Sequence, residues 1–345
     1  TWDFTSLFIK DILFYQRPLK SKKALIDNCP YEESFYIENG EKKSKPRKCI
    51  AKSHPLFQEF RIWQFISNLR IYQKVKEVDG KLQFNVDVTS DFLRDESAYV
   101  ELFKWLNERA EVSQEDLLKH LGLKKTKTED TVSLYRWNYV EDKKYPGNKT
   151  RSSILKKLLN DEKEALSEDI ELKIWHLLYS VSAQSEIDKA LSSKNVSTKG
   201  IYSGLSVYFS DETIQKIKNV KLESGYGSYS AKAIGKLLPL MRRGKYWNLE
   251  SIDNHTKERI EKILNGECDE TIRARTREKS ISLTDISQFK GLPLWLACYI
   301  VYDRHSELKT IKKWNGPEDI DKFLKEFKQH TLRNPIVEQV IMETL

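Results

Sequence analysis

A row of cationic side chains between residues 228 and 247 is the clearest candidate for chemistry in this sequence. Lys232, Lys236 and Arg243 fall within roughly 40° of one another when the segment is drawn as a helix of about 100° per residue. Ammonium and guanidinium groups on one helix face can hold an anion such as a phosphate. An ordinary solvated helix surface shows the same pattern, so the row alone leaves both interpretations open.

The apolar face of the same segment predicts how the cationic row is held in place. A stripe with helical spacing is expected to pack in the core: Ile234, Leu237, Leu238 and Met241. Ser228 or Ser230 can cap the first turn, which leaves neighbouring backbone N–H groups for an anion. Gly244 lies where a helix commonly ends in a left-handed residue. We therefore predict one amphipathic helix anchored in the core.

A second helical segment, residues 56–71, carries a mixed row of amide and guanidinium groups. Its predicted core stripe consists of Ile62, Phe65, Ile66 and Leu69. Arg61, Gln64 and Asn68 share the opposite face, and such long-armed groups suit sugar and phosphate contacts. An ordinary helix surface is an equal alternative.

Further cationic side chains cluster in segments without helical periodicity. A basic loop runs from Lys20 to Lys23, and residues 38–55 are predicted to be polar and irregular. The second segment carries one run of cations: Lys42, Lys43, Lys45, Arg47, Lys48 and Lys52. Charge runs are most often solvated or mobile, so binding is one of two interpretations.

The sequence contains no convergent set of residues for catalysis. The histidines are scattered and form neither an HxH nor an HExxH motif: His54, His120, His176, His255, His305 and His330. The four cysteines lack CxxC spacing, which argues against a zinc knuckle. No complete phosphate-binding loop pattern is present. We expect binding rather than turnover, with no catalytic residue, metal ligand or cofactor in this stretch.

The overall charge favours an acidic partner. The 345 residues include 59 Lys and Arg against 51 Asp and Glu, a formal net charge of +8 with an isoelectric point near 9.0. Such a balance is typical of nucleic-acid-binding proteins. Cysteine usage suits a reducing compartment, and no apolar run is long enough to predict a membrane span. The chain opens without Met and stops within an amphipathic pattern, so we expect a piece of a longer protein.

Hydrophobic periodicity predicts a mainly α, multi-helix fold. Helices are expected at 5–15, 56–71, 97–110, 113–120, 151–166, 168–180, 184–192, 211–219, within 228–247, at 254–264, at 317–329 and from 334 onward. One small β-hairpin is predicted at about 72–89, around an Asp-Gly turn. Ser113, with Asp116 three residues later, predicts a capped helix. Residues 283–305 are predicted to be core.

Three ordered stretches resemble one protein family. The first comprises FYQRPLKSKK (14–23), NCP (28–30), SHPLFQEFRIW (53–63) and NLRI (68–71). The second comprises SYSAKAI (228–234), LPLM (238–241) and GK (244–245), and the third is LRNPIVEQV (332–340). Together they resemble the RNA-guided DNA endonucleases of type II CRISPR systems, the Cas9 family, over nearly the whole chain.

The resemblance implies most of the α-helical recognition lobe of such an endonuclease. Residues 1–90 would be a first recognition-lobe segment with the hairpin, 91–330 the helical body, and 331–345 the start of the second RuvC-like segment. The first RuvC-like strand, the bridge helix, the His-containing nuclease domain and the PAM-reading domain are absent from this stretch. No cleavage is therefore expected from it, whereas the complete nuclease is expected to use Mg²⁺.

The family also implies partners. These are guide RNA, as a crRNA:tracrRNA pair or a single guide, and the target DNA strand in its heteroduplex with the guide. The lobe would hold the repeat:anti-repeat and seed regions through backbone and A-form shape, while base pairing reads the target. A monomer in the bacterial cytoplasm is implied, with an anti-CRISPR inhibitor protein as a further candidate partner.

The predicted nucleic-acid-binding residues fall in two blocks. The first block comprises Gln16, Arg17, Lys20, Lys22, Lys23, Arg47, Lys52, Arg61, Trp63, Gln64, Asn68 and Arg70. The second block comprises Ser228, Ser230, Lys232, Lys236, Arg242, Arg243 and Lys245. By motif match, Ser228, Ser230 and Lys232 correspond to the helix start that approaches RNA phosphates in the family.

Two other functions stay open on the sequence. A helical protein-interaction scaffold without nucleic acid is favoured if the cationic row of 228–247 lies on a different surface from three residues of the first block, Arg17, Arg61 and Arg70. An autonomous nuclease would be favoured by metal-dependent cleavage.

Overall fold

The computed structural model describes a large part of the chain, in two compact units. The described residues are 26–123, 134–181, 184–191, 205, 208–267, 278, 280, 282–303, 316–325, 340 and 343. One unit is Cys29–Lys309, and the other combines Thr1–Asn28 with Thr310–Leu345. The helix predicted at 5–15 lies outside the described residues. Of the helix predicted from 334 onward, only residues 340 and 343 are described, and both are helical. The domain boundaries at 90 and 330 stay predictions.

Helices dominate the described residues, and short strands lie between them. The strands are β1 (Asn28–Glu38), β2 (Glu41–Lys48), β3 (Ile71–Val78), β4 (Lys81–Asp87), β5 (Glu111–Val112), β6 (Tyr135–Trp137) and β7 (Tyr145–Pro146). The helices are α1 (Pro55–Asn68), α2 (Thr89–Phe92), α3 (Glu96–Asn107), α4 (Gln114–His120), α5 (Lys149–Leu155), α6 (Glu168–Ser180), α7 (Gln184–Leu191), α8 (Asp211–Ile217), α9 (Ala231–Met241), α10 (Asn254–Leu264), α11 (Leu294–Tyr302) and α12 (Pro317–Lys325). The prediction of a mainly α fold is confirmed. No helix among these described elements is long and apolar enough to cross a membrane.

Side-chain caps fix where several helices begin. Ser230 precedes α9 and its hydroxyl accepts the Ala233 N–H, as one of the two predicted caps. Ser113 and Asp116 form the predicted capping box at the start of α4. Each cap satisfies a backbone donor that the first helical turn leaves unpaired.

The predicted hairpin is confirmed with slightly different bounds. β3 and β4 pair antiparallel around Asp79 and Gly80, whose φ angles of 51° and 73° match a type I′ turn. The short strand β6 joins the free edge of β3, with Ile71 opposite Trp137. A further pair of two-residue strands, β5 and β7, also forms.

The prediction of a single hairpin is wrong, because β1 and β2 form a second one. Residues 41–48 were expected to be irregular, yet all of them lie in β2. The turn between the strands is Asn39-Gly40, with φ angles of 54° and 82°. Asn and Gly readily adopt the left-handed backbone conformation that both residues of such a hairpin turn require. The Asn39-Gly40 pair next to the charge run is therefore a hairpin signal in the sequence itself.

The prediction of one helix at 151–166 is also wrong. Helix α5 ends at Leu155, and a 3₁₀ turn follows at Asn160–Ala165. The carboxylate of Glu162 accepts the backbone N–H groups of Leu159 and Ser210, at 3.0 and 2.7 Å. These bonds hold the chain in a turn, so a continuous α-helix cannot form there.

The main core of the larger unit forms around α9. Its predicted stripe is fully buried: Ile234, Leu237, Leu238 and Met241. Helix α9 packs on α1 and α11. The predicted stripe of α1 is buried in the same cluster, as is most of α11, which confirms residues 294–301 as core.

A second apolar cluster forms from α5, α6, α7 and α8, with Ile174, Leu177 and Ile217 at its centre. The Trp175 indole N–H donates to the Ser53 hydroxyl at 3.0 Å and so ties this cluster to the turn before α1. The cationic row and the predicted α1 surface therefore belong to one packed unit.

A charge inside the stripe of α9 should unfold the main core. Ile234→Asp places a carboxylate with no partner among buried apolar side chains, and we expect a loss of more than about 4 kcal/mol. Thermal unfolding followed by circular dichroism measures it. Gly235→Ala on the exposed side of α9 is the matched control, since an added Cβ meets nothing within 4 Å. That control should stabilise by about 0.5–1 kcal/mol; equal melting temperatures for Ile234→Asp and wild type would contradict the burial.

Candidate nucleic-acid interface

The two lysines of the predicted cationic row lie together on α9. Lys232 and Lys236 place their Nζ atoms 2.8 and 2.7 Å from the two oxygens of Glu32, which lies in β1. The Lys232 side chain is 47% exposed and the Lys236 side chain 27% exposed, whereas Glu32 is buried. Two ammonium groups thus share one carboxylate, and this cluster keeps a net positive charge at the surface.

Tyrosines complete the pocket that holds Glu32. The Tyr302 hydroxyl donates to Glu32 Oε1 at 2.9 Å, and Tyr31 stacks between Tyr229 and Tyr302. Burial opposes ionisation of Glu32, but the hydrogen bonds from the two lysines and Tyr302 outweigh it and hold the pKa of the carboxyl below its usual value. Burial and the adjacent carboxylate raise the pKa of the Tyr302 hydroxyl. Glu32 is therefore ionised at neutral pH.

Arg243 does not belong to this row, so that part of the prediction is wrong. Helix α9 ends at Met241, and the next residue is extended, with ψ of 157°. The Arg243 guanidinium lies 4.2 Å from the centre of the Tyr99 ring and donates to the Gly291 carbonyl at 3.3 Å. A Cβ on Gly291 would come within 2.1 Å of Arg243 Nε, so the glycine makes room for this contact.

Arg61 is an internal cation rather than a surface one. Its side chain is 16% exposed and lies 3.1 Å from the Glu223 carboxylate. The same guanidinium donates to Gln58 Oε1 at 2.7 Å and to the Gly147 carbonyl at 2.8 Å. Arg61 thus joins α1 to two distant loops, which is a structural role, while its phosphate contact stays a prediction.

Glu59 engages two more predicted residues in the interior. Arg242 makes two hydrogen bonds to its carboxylate, both of 2.7 Å, and the Trp63 indole donates to it at 3.3 Å. Trp63 is 1% exposed and stacks on Phe103 with ring centres 4.5 Å apart. Trp63 is too deeply buried to touch a ligand, so that prediction is corrected. The Arg242 side chain is 23% exposed, and its nucleic-acid contact stays a prediction.

Other predicted residues differ in exposure. Ser230 is buried as the helix cap, whereas Ser228 is exposed two residues before it. Asn68 and Arg70 are exposed at the end of α1, and Gln64 is half-buried. The side chains of Asn68, Gln64 and Arg70 therefore reach solvent, as predicted, whereas Arg61 is engaged inside the protein.

The remaining cations of the two blocks are mostly at the surface. Arg47 is exposed on β2, Lys245 is exposed beside Tyr246, and Lys52 is half-buried next to Gly225. The other predicted residues lie outside the described part of the chain: Gln16, Arg17, Lys20, Lys22 and Lys23. The helical protein-interaction scaffold stays an alternative function.

Sequence reasoning missed the acidic partners of these cations. Nothing in the local sequence of Glu32, Glu59 or Glu223 distinguishes them from solvated carboxylates. Each is paired with a residue from a distant part of the chain, 165 positions away for Glu223 and Gln58, 183 for Glu59 and Arg242, and 270 for Glu32 and Tyr302. Among the described residues, no group of three or more His, Cys, Asp or Glu side chains is placed to hold a metal ion.

The fold is a mainly helical unit, and its surface presents a few solvent-accessible cations around α9. A family model described as the Cas9 alpha-helical lobe domain matches residues 42–252, which include α1 and α9. The match spans more than half of the chain, so the chain belongs to this family. It is a recognition-lobe part of a CRISPR protein, and nucleic-acid partners of the guide-RNA kind follow from the family in general. No curated protein matches the sequence.

Loss of the Glu223 carboxylate should destabilise the fold. Glu223→Gln leaves the largely buried Arg61 guanidinium without its counter-ion, and we expect a loss of about 2–4 kcal/mol in urea unfolding. Arg70→Ala, at an exposed position, is the control and should change stability by no more than about 0.5 kcal/mol. If Arg61 were a phosphate contact instead, Glu223→Gln would leave stability unchanged and tighten RNA binding.

Proposed function

We propose that this chain binds guide RNA and the RNA–DNA heteroduplex through backbone and shape contacts, centred on the surface at the start of α9. The observation that supports it most is a pair of lysines, Lys232 exposed and Lys236 half-buried, on a helix packed in the core. Family membership supplies the class of ligand.

The start of α9 is electrostatically suited to a phosphate. Its first turn carries no acidic side chain, and the exposed Ser228 hydroxyl lies just before the cap. The N-terminus of a helix carries a partial positive charge that favours anions. A phosphate at this place would bind the ammonium groups of Lys232 and Lys236, and it would compete with the Glu32 carboxylate for them.

Discrimination would come from shape rather than from base edges. Lysine ammonium groups act as point charges toward phosphates and carry no sequence information. An A-form duplex spaces its backbone differently from B-form DNA, so a rigid set of cations can favour one of them. This agrees with a lobe that leaves sequence reading to base pairing.

For the complete protein, we propose RNA-guided DNA cleavage with Mg²⁺ by nuclease segments outside this stretch. This chain would contribute binding without cleavage. A monomeric state and an anti-CRISPR inhibitor as a second partner stay predictions.

A salt titration tests the proposal. We expect the chain to bind a repeat:anti-repeat RNA hairpin more tightly than B-form DNA of equal length, with affinity falling steeply as salt rises. Lys232→Ala with Lys236→Ala should reduce the slope of log K against log[salt] by up to about 1.8, since each lost phosphate contact is worth about 0.9.

The matched control replaces two helical lysines elsewhere by Ala, the half-buried Lys173 and the exposed Lys216, which pair with Asp169 and Glu212. It changes the net charge equally and should leave the slope nearly unchanged. Equal, weak binding of both nucleic acids by wild type would instead favour the helical protein-interaction scaffold.

Glu32→Gln separates stability from binding. The folded pKa of Glu32 is lowered, so its contribution to stability is complete above the unfolded pKa of about 4.3 and is lost as the pH falls through the folded value. The variant should therefore lose about 1–3 kcal/mol at pH 7 and lose little more on acidification. It should also bind the RNA hairpin more tightly, because two lysines lose their competing carboxylate. Weaker RNA binding by a folded Glu32→Gln variant would contradict the competition.

A further inference from the structure

The hairpin of β1 and β2, here called the basic ribbon (Asn28–Lys48), exposes apolar side chains that the fold does not use. Phe35 is 65% exposed and Ile37 78% exposed, with Tyr36 between them at 40%. Every residue of β2 is exposed. An isolated two-stranded ribbon gains no core from such side chains, and a cluster of exposed apolar groups commonly marks a contact surface.

Lysines of β2 lie over the aromatic rings of β1. The Lys42 ammonium is 4.5 Å from the centre of the Phe35 ring, and Lys45 is 5.4 Å from that of Tyr36. On β2 the charges are four Lys, one Arg and one Glu, a net charge of +4. Strand β1 carries three Glu, so the whole ribbon has a net charge of +1 with its cations concentrated on β2. Lysines and Pro46 on an edge strand also prevent edge-to-edge pairing, but that role does not account for the exposed Phe35 and Ile37.

Aromatic rings flanked by cations suit one kind of ligand especially well. Single-stranded nucleic acid is bound by stacking its bases on aromatic side chains while cations follow its phosphates. An acidic protein surface would use the lysines and leave the rings without a partner. The combination on the basic ribbon therefore favours unpaired nucleotides.

The base of the ribbon joins the surface of α9. Glu32, three residues before Phe35 on the same strand, is the residue that holds Lys232 and Lys236. The ribbon is thus continuous with the proposed duplex-binding surface. A strand that leaves a duplex on α9 would meet the ribbon first.

We infer that the basic ribbon binds unpaired RNA nucleotides that continue from the bound duplex, with a base stacked on Phe35 and phosphates near Lys42 and Lys45. The inference rests on the proposed function for the position of the duplex, and it adds a second, single-stranded part to the ligand.

The test compares two RNA hairpins of the same stem, one blunt and one with a six-nucleotide tail that carries 2-aminopurine. We expect the tail to tighten binding to the wild-type chain by about fivefold or more and to change the fluorescence through stacking. Phe35→Ala should abolish the advantage of the tail and leave the affinity for the blunt hairpin unchanged. Phe35→Trp should restore the advantage.

Phe84→Ala is the matched control. Phe84 is 70% exposed on the other hairpin, and no cation lies over its ring among the described residues. Its loss should leave both affinities unchanged.

Three results overturn the inference: no advantage of the tail for wild type, the same advantage in Phe35→Ala, or an equal loss for both hairpins. If the chain still binds the blunt hairpin in these cases, the proposed function is unaffected. Conversely, the wild-type chain could fail to bind the blunt hairpin and yet bind the tailed one in a way that depends on Phe35. That result would overturn the proposed duplex binding and support the binding of unpaired nucleotides by the basic ribbon.

Discussion

Burial of the apolar face of α9 is the constraint on which the rest of the surface depends. Its stripe packs on α1 and α11, so the direction of the opposite face is set by the core and not by the charges upon it. The preceding loop is fixed as well, since Ile50 and Tyr229 share a backbone hydrogen bond of 2.8 Å and Gly227 fits against the Phe57 ring. The capped start of α9 and Lys232 are thereby held in one place before any ligand arrives.

The cations divide into two groups by chemistry as well as by place. Arg61 and Arg242 use their planar, multi-donor heads inside the protein, where carboxylates and carbonyls from distant segments converge on them. Lys232 and Lys236 keep part of their ammonium surface toward solvent. This division follows from the guanidinium fork, which can satisfy several acceptors at once, whereas an ammonium remains a compact point charge on a flexible stem. A high count of basic residues therefore overstates the positive charge offered to a ligand.

The strands add what the helices lack, an extended surface with exposed rings. Both hairpins turn on a two-residue left-handed pair, Asn39-Gly40 and Asp79-Gly80. The base of the basic ribbon is anchored by the core residue Cys29 and by Glu32, whose buried carboxylate links β1 to the core helix α9. The contact of Glu32 with the two lysines thus couples the start of α9 to the basic ribbon, the two surfaces that we assign to nucleic acid. An acidic residue within a basic patch would ordinarily weaken nucleic-acid binding, but here it joins the two surfaces.

The sequence by itself determined the helical class, the buried faces of α1 and α9, the cap at Ser113 and the β3–β4 turn, because these depend on spacing and on contacts within a few residues. It narrowed the cap of α9 to Ser228 or Ser230, and the structure decided for Ser230. It also carried the family, through ordered motifs. Only the tertiary structure decided which predicted cations stay at the surface. Arg61 meets Glu223 across 162 positions, Trp63 stacks on Phe103, and Arg243 leaves the helical row because α9 ends two residues earlier. A side chain's partner depends on how distant segments pack, and helical periodicity does not contain that information.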